Sequence, residues 1–320
     1  MIHYNLNTIV GASKKTRGQR IVNDETVFRW AVPALIQISG ILIAVSCASV
    51  RADEVKPAEK NRFTLFNPTP RELMREMSTD RPDKTESPYT VDAGHFQVEA
   101  DILNYAYDRH NTDFSNTGVE TVSIAPVNLK AGLCNNVDLQ LVIETYTSLR
   151  THERSTGVVQ RNRGFGDITP RLKWNVWGND GGSTALALMP FVKLPTNQDD
   201  LGNDSVEGGL IIPLAVQLPY DWSMGLMTEF DFVRDSSGTG DHPEFINSIT
   251  FGHDICGKLG GYVEFFSLVS AESNSDWVGT VDLGLTFGLT DDIQFDAGVN
   301  LGVTRSADDL NLFAGVSWRF

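Results

Sequence analysis

From His95 to Phe320 the chain alternates apolar and polar residues with a period of two. That is the spacing of a β-strand whose two faces meet different surroundings. The last two segments show it most cleanly. Ile293, Phe295, Ala297, Val299, Leu301 and Val303 are all apolar, and so are Leu310, Leu312, Ala314, Val316, Trp318 and Phe320. Their alternates are mostly polar or glycine, with Phe313 the one large apolar residue of the opposite parity. The same reading places ten earlier strands near 95–107, 119–131, 137–147, 165–177, 184–194, 209–219, 223–234, 244–254, 260–270 and 277–287, twelve in all.

The connections alternate in length. Short ones fall at 132–136, 178–182, 219–222, 255–259 and 288–292, and long ones at 108–118, 148–164, 195–208 and 235–243. Short turns at one end and longer loops at the other, with an even strand count, predict a transmembrane antiparallel β-barrel. A soluble β-sandwich would alternate too, but it has no need of aromatic girdles. Here Phe96, Tyr105, Tyr107, Trp174, Trp177, Phe191, Phe230, Phe232, Phe287, Trp318 and Phe320 all fall near strand ends, where such girdles sit.

If the apolar parity faces lipid, the other lines a lumen. Its charged candidates are Glu99, Asp101, Asp138, Glu144, Arg171, Lys173, Glu229, Asp231, Asp282 and Asp296, with Arg319 near the end. A charge cannot face hydrocarbon cheaply, so parity itself argues for the interior. Arg171 and Lys173 form a basic patch on one face, and the expected partners are Asp138, Gln140 and Glu144 on the neighbouring strand. Such a set makes either a charged constriction that selects solutes or an ion-pair network that closes the lumen. Twelve strands lie between the eight that side chains can fill and the sixteen that leave an aqueous channel.

The N-terminus differs. Residues 31–50 carry no charge and follow Lys14, Lys15, Arg17, Arg20 and Arg29. With Val50-Arg51-Ala52 behind them, residues 1–52 read as a signal peptide. Residues 53–94 hold five prolines and little alternation, and are expected to be a periplasmic linker or a segment folded into the barrel as a plug. Within them, Thr69-Pro70-Arg71-Glu72 has the form of a capping box, predicting a short helix through Met77.

Composition changes this picture only once the pattern is known. Mean hydropathy is −0.16 with 41% hydrophobic residues, which taken alone describes a soluble protein. A barrel also averages that way, because only alternate residues meet lipid. The net charge of −15 disfavours nucleic acid, which requires clustered Lys and Arg. Removing residues 1–52 takes away six of 26 Lys/Arg and two of 41 Asp/Glu, leaving 20 and 39 and a charge of −19.

No Cys/His spacing suggests zinc, and no Ser/His/acid set announces a hydrolase, so no catalytic, cofactor or metal residue is assigned. Cys134 and Cys256 fall in turns far apart and read as free thiols. The acidic loop 197–207, with Asp199, Asp200, Asp204 and Glu207, lacks EF-hand spacing. The basic residues Arg150, His152, Arg154, Arg161 and Arg163 fall in an expected outer loop that could meet lipopolysaccharide.

Several stretches resemble the outer-membrane family named for a MetA pathway of phenol degradation, often labelled as transporters. They are Ser78-Thr-Asp-Arg-Pro-Asp83, the run from Glu86 to Phe96, Gly164-Phe-Gly-Asp167 followed by Arg171-Leu-Lys-Trp174, and the run from Pro190 to Thr196. The resemblance implies an outer-membrane barrel that passes small, aromatic or hydrophobic, compounds and carries no catalytic motif. The expectation is therefore a channel or transporter, with a non-conducting surface barrel second and an outer-membrane hydrolase third. Its partners would be lipid, lipopolysaccharide, a small solute and, through the strand ending at Phe320, the barrel-assembly machinery.

Overall fold

The computed structural model describes residues 57–111 and 117–320. The expected signal peptide, residues 1–52, lies outside the described residues. Among them, twelve antiparallel strands close into a barrel. The first four are β1 (Phe96–Asn111), β2 (Thr117–Ile124 and Val127–Cys134), β3 (Val137–Ile143 and Tyr146–Glu153) and β4 (Val159–Gly164 and Ile168–Trp177). Next come β5 (Thr184–Lys193), β6 (Glu207–Gln217), β7 (Ser223–Arg234) and β8 (Asp241–Cys256). The last are β9 (Leu259–Ser270), β10 (Val278–Thr290), β11 (Ile293–Gly302) and β12 (Leu310–Arg319). Each strand pairs with its neighbours, and β12 returns to β1 with Gln97 opposite Arg319 and Tyr107 opposite Leu310. Closure is completed by Phe96 and Phe320, whose backbones exchange hydrogen bonds of 3.0 and 2.9 Å.

The burial pattern is inside out relative to a soluble protein. Leu139, Leu172, Trp174, Phe265, Leu283, Leu285, Phe295, Leu312 and Trp318 are exposed on the outer face, each 39–50% accessible. Gln97, Glu99, Lys130, Asp138, Gln140, Lys173 and Asp282 on the inner face are at most 3% accessible. A closed sheet that turns leucine outward and lysine inward is stable only where the outside is hydrocarbon, which excludes the sandwich. Phe96, Trp174, Trp177, Phe230, Phe232, Phe287, Trp318 and Phe320 are all among the exposed aromatics. Phe191 departs from its expected place in the girdle and turns inward. On β5 the inward parity is Ala185, Ala187, Met189, Phe191 and Lys193, so that strand is apolar on both faces along most of its length.

Three further expectations are corrected. The supposed long loop 148–164 is mostly strand, with only residues 154–158 turning, and β1 and β8 reach past their expected limits at 107 and 244. These outer ends have no buried-against-lipid face to impose a period of two; Val159–Gly164 is exposed or half-buried throughout. Arg150 therefore sits on a strand, paired with Glu120 at 2.7 Å. The short helix through Met77 is instead one 3-10 turn, Arg71–Leu73, with no side-chain cap bond. Met74 is already extended, and the next backbone N–H, of Arg75, donates to Asp92 Oδ2 at 3.0 Å. The chain is drawn out there by partners inside the barrel. Cys134 and Cys256 are both free.

β2, β3 and β4 are each interrupted at the same level, at residues 125–126, 144–145 and 165–167. Ala125 has φ of 54° and Pro126 has no N–H to give the ladder.

Candidate functional site

The polar inner face does not enclose an empty lumen. Residues 75–94 enter from the short-turn end, reach mid-barrel at Lys84–Glu86 and run back to β1. At the entrance, Arg75 donates to Asn135 Oδ1 at 2.9 Å and to Asp180 Oδ1 at 2.8 Å, while Arg319 donates to the Arg75 carbonyl at 2.7 Å. Lys60 bridges Asp92 and Asp180 at 3.1 and 2.9 Å. Asp180 stays below the ordinary carboxylate range. Partial burial raises it, but hydrogen bonds from Lys60 and Asn135 and the charge of Arg75 outweigh that. Asp292, in the last short turn, is lowered in the same way, burial being outweighed by Arg319 and Arg71.

Deeper in, Asp80 is a hub. Its carboxylate accepts from Lys173 Nζ at 2.6 Å and Gln140 Nε2 at 3.2 Å, contacts Lys130 Nζ, and its backbone N–H donates to Glu99. Arg81 grips Asp296 through two bonds, 2.6 and 3.2 Å, and Asp101 through one of 2.5 Å. Lys84 reaches Thr280 Oγ1 at 2.7 Å and Asp282 at 3.1 Å, with its ammonium 4.5 Å from the Phe266 ring centroid. Thr85 bonds Ser248 Oγ at 2.6 Å and Glu264 at 2.6 and 2.8 Å. Glu86 accepts from Arg171 at 2.6 Å. On the return, Val91 N–H donates to Asp138 Oδ2 at 2.9 Å and Asn175 donates to the Pro88 carbonyl at 2.9 Å.

The wall makes room for this segment. Any Cβ at Gly315 would overlap the Arg81 guanidinium, and any Cβ at Gly132 would overlap the backbone of Asp92. The electrostatics also fit. Arg81 and Lys84 pair with the wall carboxylates Asp101, Asp296 and Asp282, while Asp80 and Glu86 pair with the wall cations Lys130, Lys173 and Arg171. Buried carboxylates need such partners, because an unpaired charge away from water is costly.

Of the ten charged residues expected inside, Glu99, Asp101, Asp138, Arg171, Lys173, Asp282 and Asp296 bond the inserted segment. Glu144, Glu229 and Asp231 lie on the other side of it, lining a cavity of about 250 Å³. The expected pairing of Arg171 and Lys173 with Asp138, Gln140 and Glu144 is replaced by Glu86 and Asp80 of the segment. Residues on adjacent strands stand side by side along the wall, whereas long cations reach into the lumen, where Asp80 and Glu86 await them.

Sequence reasoning missed Lys130, Glu264 and the whole set from Asp80 to Glu86. Parity could have found the first two; in the segment, the plug expected over 53–94 and the resemblances at 78–83 and 86–96 point to the stretch but assign none of its residues a partner. It also missed that the inner wall is apolar on one side. Met189, Ile211, Met227, Ile246 and Phe266 cluster there, with Phe191 and Leu268 against them. The cavity thus combines Phe191, Ile246, Phe266 and Leu268 with the acids Glu144, Glu207, Glu229, Asp231, Glu244 and Asp308. Its cations are Lys84, Arg171 and Lys193.

A closed barrel with an apolar exterior, a charged interior and a chain segment ion-paired within it has the fold of an outer-membrane β-barrel. Residues 79–320 match the family described as "Putative MetA-pathway of phenol degradation", and the chain belongs to that family. An outer membrane channel from Pseudomonas putida F1 shares the fold, with a TM-score of 0.54 and 12% identity, over 76% of this chain and 100% of the other. The NanC porin aligns with a TM-score of 0.44 at 12% identity, over 70% of this chain and 98% of its own. A Pseudomonas aeruginosa FadL homologue aligns at 0.38 and 10% identity, over 70% and 87%. The last two are too distant to carry an argument. None of the curated proteins matches the chain.

Proposed function

We propose that the protein is a gated outer-membrane channel for small solutes, with residues 75–94 as the gate. The observation that carries this reading is the ring of contacts between that segment and the wall. Asp80, Arg81, Lys84, Thr85 and Glu86 together bond residues of β1, β2, β3, β4, β8, β9, β10 and β11. These contacts are polar and ionic, so they can be exchanged for water at modest net cost, unlike a packed apolar core. A solute would cross once they do.

The cavity on the long-loop side suggests the solute class. An apolar flank of Phe191, Ile246, Phe266 and Leu268 beside an excess of carboxylates suits small aromatic or aliphatic compounds that are neutral or cationic. The family description, with its reference to phenol degradation, agrees with the aromatic part. At its exterior the barrel would meet lipid through the aromatic girdles and lipopolysaccharide through Arg150 and Arg154, and would be inserted by recognition of β12.

The test is a staple. Thr85→Cys and Ser248→Cys, placed in a background with Cys134 and Cys256 changed to serine, join gate to wall where the two hydroxyls now touch. In planar bilayers the oxidised protein should not conduct and the reduced protein should. A form lacking residues 57–94 should conduct continuously. Absence of conductance in all three would overturn the channel reading in favour of a structural barrel, and equal conductance in all three would overturn the gate.

A further inference from the structure

Asp235 lies just after β7, His242 near the start of β8 and Glu272 just after β9, all at the long-loop end of the barrel. One donor atom from each comes within 4.8 Å of the others. His242 is buried and sits between two carboxylates, with Nδ1 2.9 Å from Asp235 Oδ1 and Nε2 3.5 Å from Glu244 Oε1. A neutral imidazole has one N–H and can serve only one of them. With that proton on Nε2, turned toward Glu244, the Nδ1 lone pair and the Asp235 carboxylate face the same point. A cation between these two acceptors satisfies both, whereas the metal-free alternative puts the proton on Nδ1, donated to Asp235 at 2.9 Å.

The surroundings supply no other cation. Among the described residues no Lys or Arg is ion-paired with Asp235 or Glu272; the adjacent Arg234 is turned to Asp241, at 3.2 Å. The carboxylates are held rather than loose. Glu272 Oε1 accepts from the Ser236 N–H at 2.8 Å and from its hydroxyl at 2.5 Å. The Asp235 loop is closed by its own N–H to the Gly240 carbonyl at 2.8 Å. At Gly240 a Cβ would overlap Asp235 Oδ2, so the glycine leaves the carboxylate its place.

We propose that Asp235, His242 and Glu272 bind a divalent transition-metal ion of the zinc class, tying the loop 235–240 to the loop 271–277. One imidazole nitrogen and two carboxylate oxygens suit zinc with a water in the fourth position. Calcium and magnesium prefer six or more oxygens, so the donor set discriminates against them. Glu244 is the positioning residue: it fixes the imidazole tautomer so that Nδ1 is the ligand. The metal would brace two of the loops that crown the cavity. The competing state is an imidazolium bridging Asp235 and Glu244 with no metal.

The experiment uses the full-length exported protein in detergent, stripped with chelator and titrated with Zn²⁺ by calorimetry and with Co²⁺ by visible absorbance. One equivalent should bind, with a Co²⁺ d–d band, and millimolar Mg²⁺ or Ca²⁺ should not displace it. Asp235→Asn, His242→Gln and Glu272→Gln should each weaken Zn²⁺ at least tenfold, and Glu244→Gln by less. Heat-modified gel mobility reports that each variant keeps its barrel, and Glu272→Gln, on an accessible loop, is the variant least able to disturb it. No Zn²⁺ binding by the wild type would overturn the proposal. So would binding unchanged in His242→Gln and Glu272→Gln, or equal competition by Ca²⁺.

Discussion

Arg81→Ala is the sharpest probe of the gate. Arg81 makes three hydrogen bonds to Asp101 and Asp296, and the Asp296 carboxylate has no solvent-accessible surface. Removing one partner of a buried pair strands the other charge and costs roughly 3–5 kcal/mol. Arg81 and Asp101 keep 14% and 11% side-chain exposure, so the lower end applies. In the released gate both sides are hydrated and lose little, so nearly all of that cost falls on the closed state. About 3 kcal/mol at ~1.36 kcal/mol per decade multiplies the released population roughly 100-fold.

The readout is Ser248→Cys in the background without native cysteines. Ser248 is buried beneath Thr85 and meets a water-soluble thiol reagent only when the gate lifts. With fast reclosing, the labelling rate follows the open population. Arg81→Ala should therefore speed labelling about 100-fold. Adding Asp101→Asn and Asp296→Asn should recover part of that, because no stranded charge remains. A rate within threefold of the parent would refute the assignment of Arg81 as a latch.

Other outcomes follow from the same geometry. Gly315→Val should displace Arg81 and raise Ser248→Cys labelling without unfolding the barrel, checked by gel mobility. The form lacking residues 57–94 should be cation-selective by reversal potential, because Asp101 and Asp296 lose Arg81, Asp282 loses Lys84, and Glu99, Asp138 and Glu264 lose the backbone N–H groups that the segment donates to them. Neutralising Lys130 and Lys173 should increase that selectivity. Asp180 and Asp292 are both held below their ordinary value of 3.8, so they favour the docked segment fully above that pH and lose their contribution as pH falls through their lowered values. Labelling should thus be insensitive to these two groups between pH 5 and 8. It should rise under stronger acid, less so in Asp180→Asn, whose docked state no longer depends on that ionisation. Phe191→Ala should weaken block of the conducting form by aromatic amines more than by alkali cations.

Much of the wall was readable residue by residue. Ile293 to Val303 and Leu310 to Phe320 show their lipid face in the bare alternation, and the charged parity of β1, β4 and β10 marks the interior. Where both faces meet similar surroundings the signal fades. Val159–Gly164 is wet on both sides and read as loop, and β5, apolar on both sides, hid the inward turn of Phe191. The capping box at Thr69–Glu72 was a local preference overruled by distant partners, since Arg75 is held by Asn135, Asp180 and Asp92.

The sequence by itself determined the barrel, its strand number and, wherever the two faces of a strand differ, which residues face out, because lipid tests each side chain independently and writes a period of two. Only the tertiary structure decided what fills the lumen. Arg81 finds Asp296 from 215 residues away, Thr85 finds Glu264 from 179, and Glu86 finds Arg171 from 85. Asp235, His242 and Glu272 likewise converge only when β7, β8 and β9 stand side by side. Charge complementarity across a closed lumen depends on the circuit of the whole sheet, and no local pattern along the chain records it.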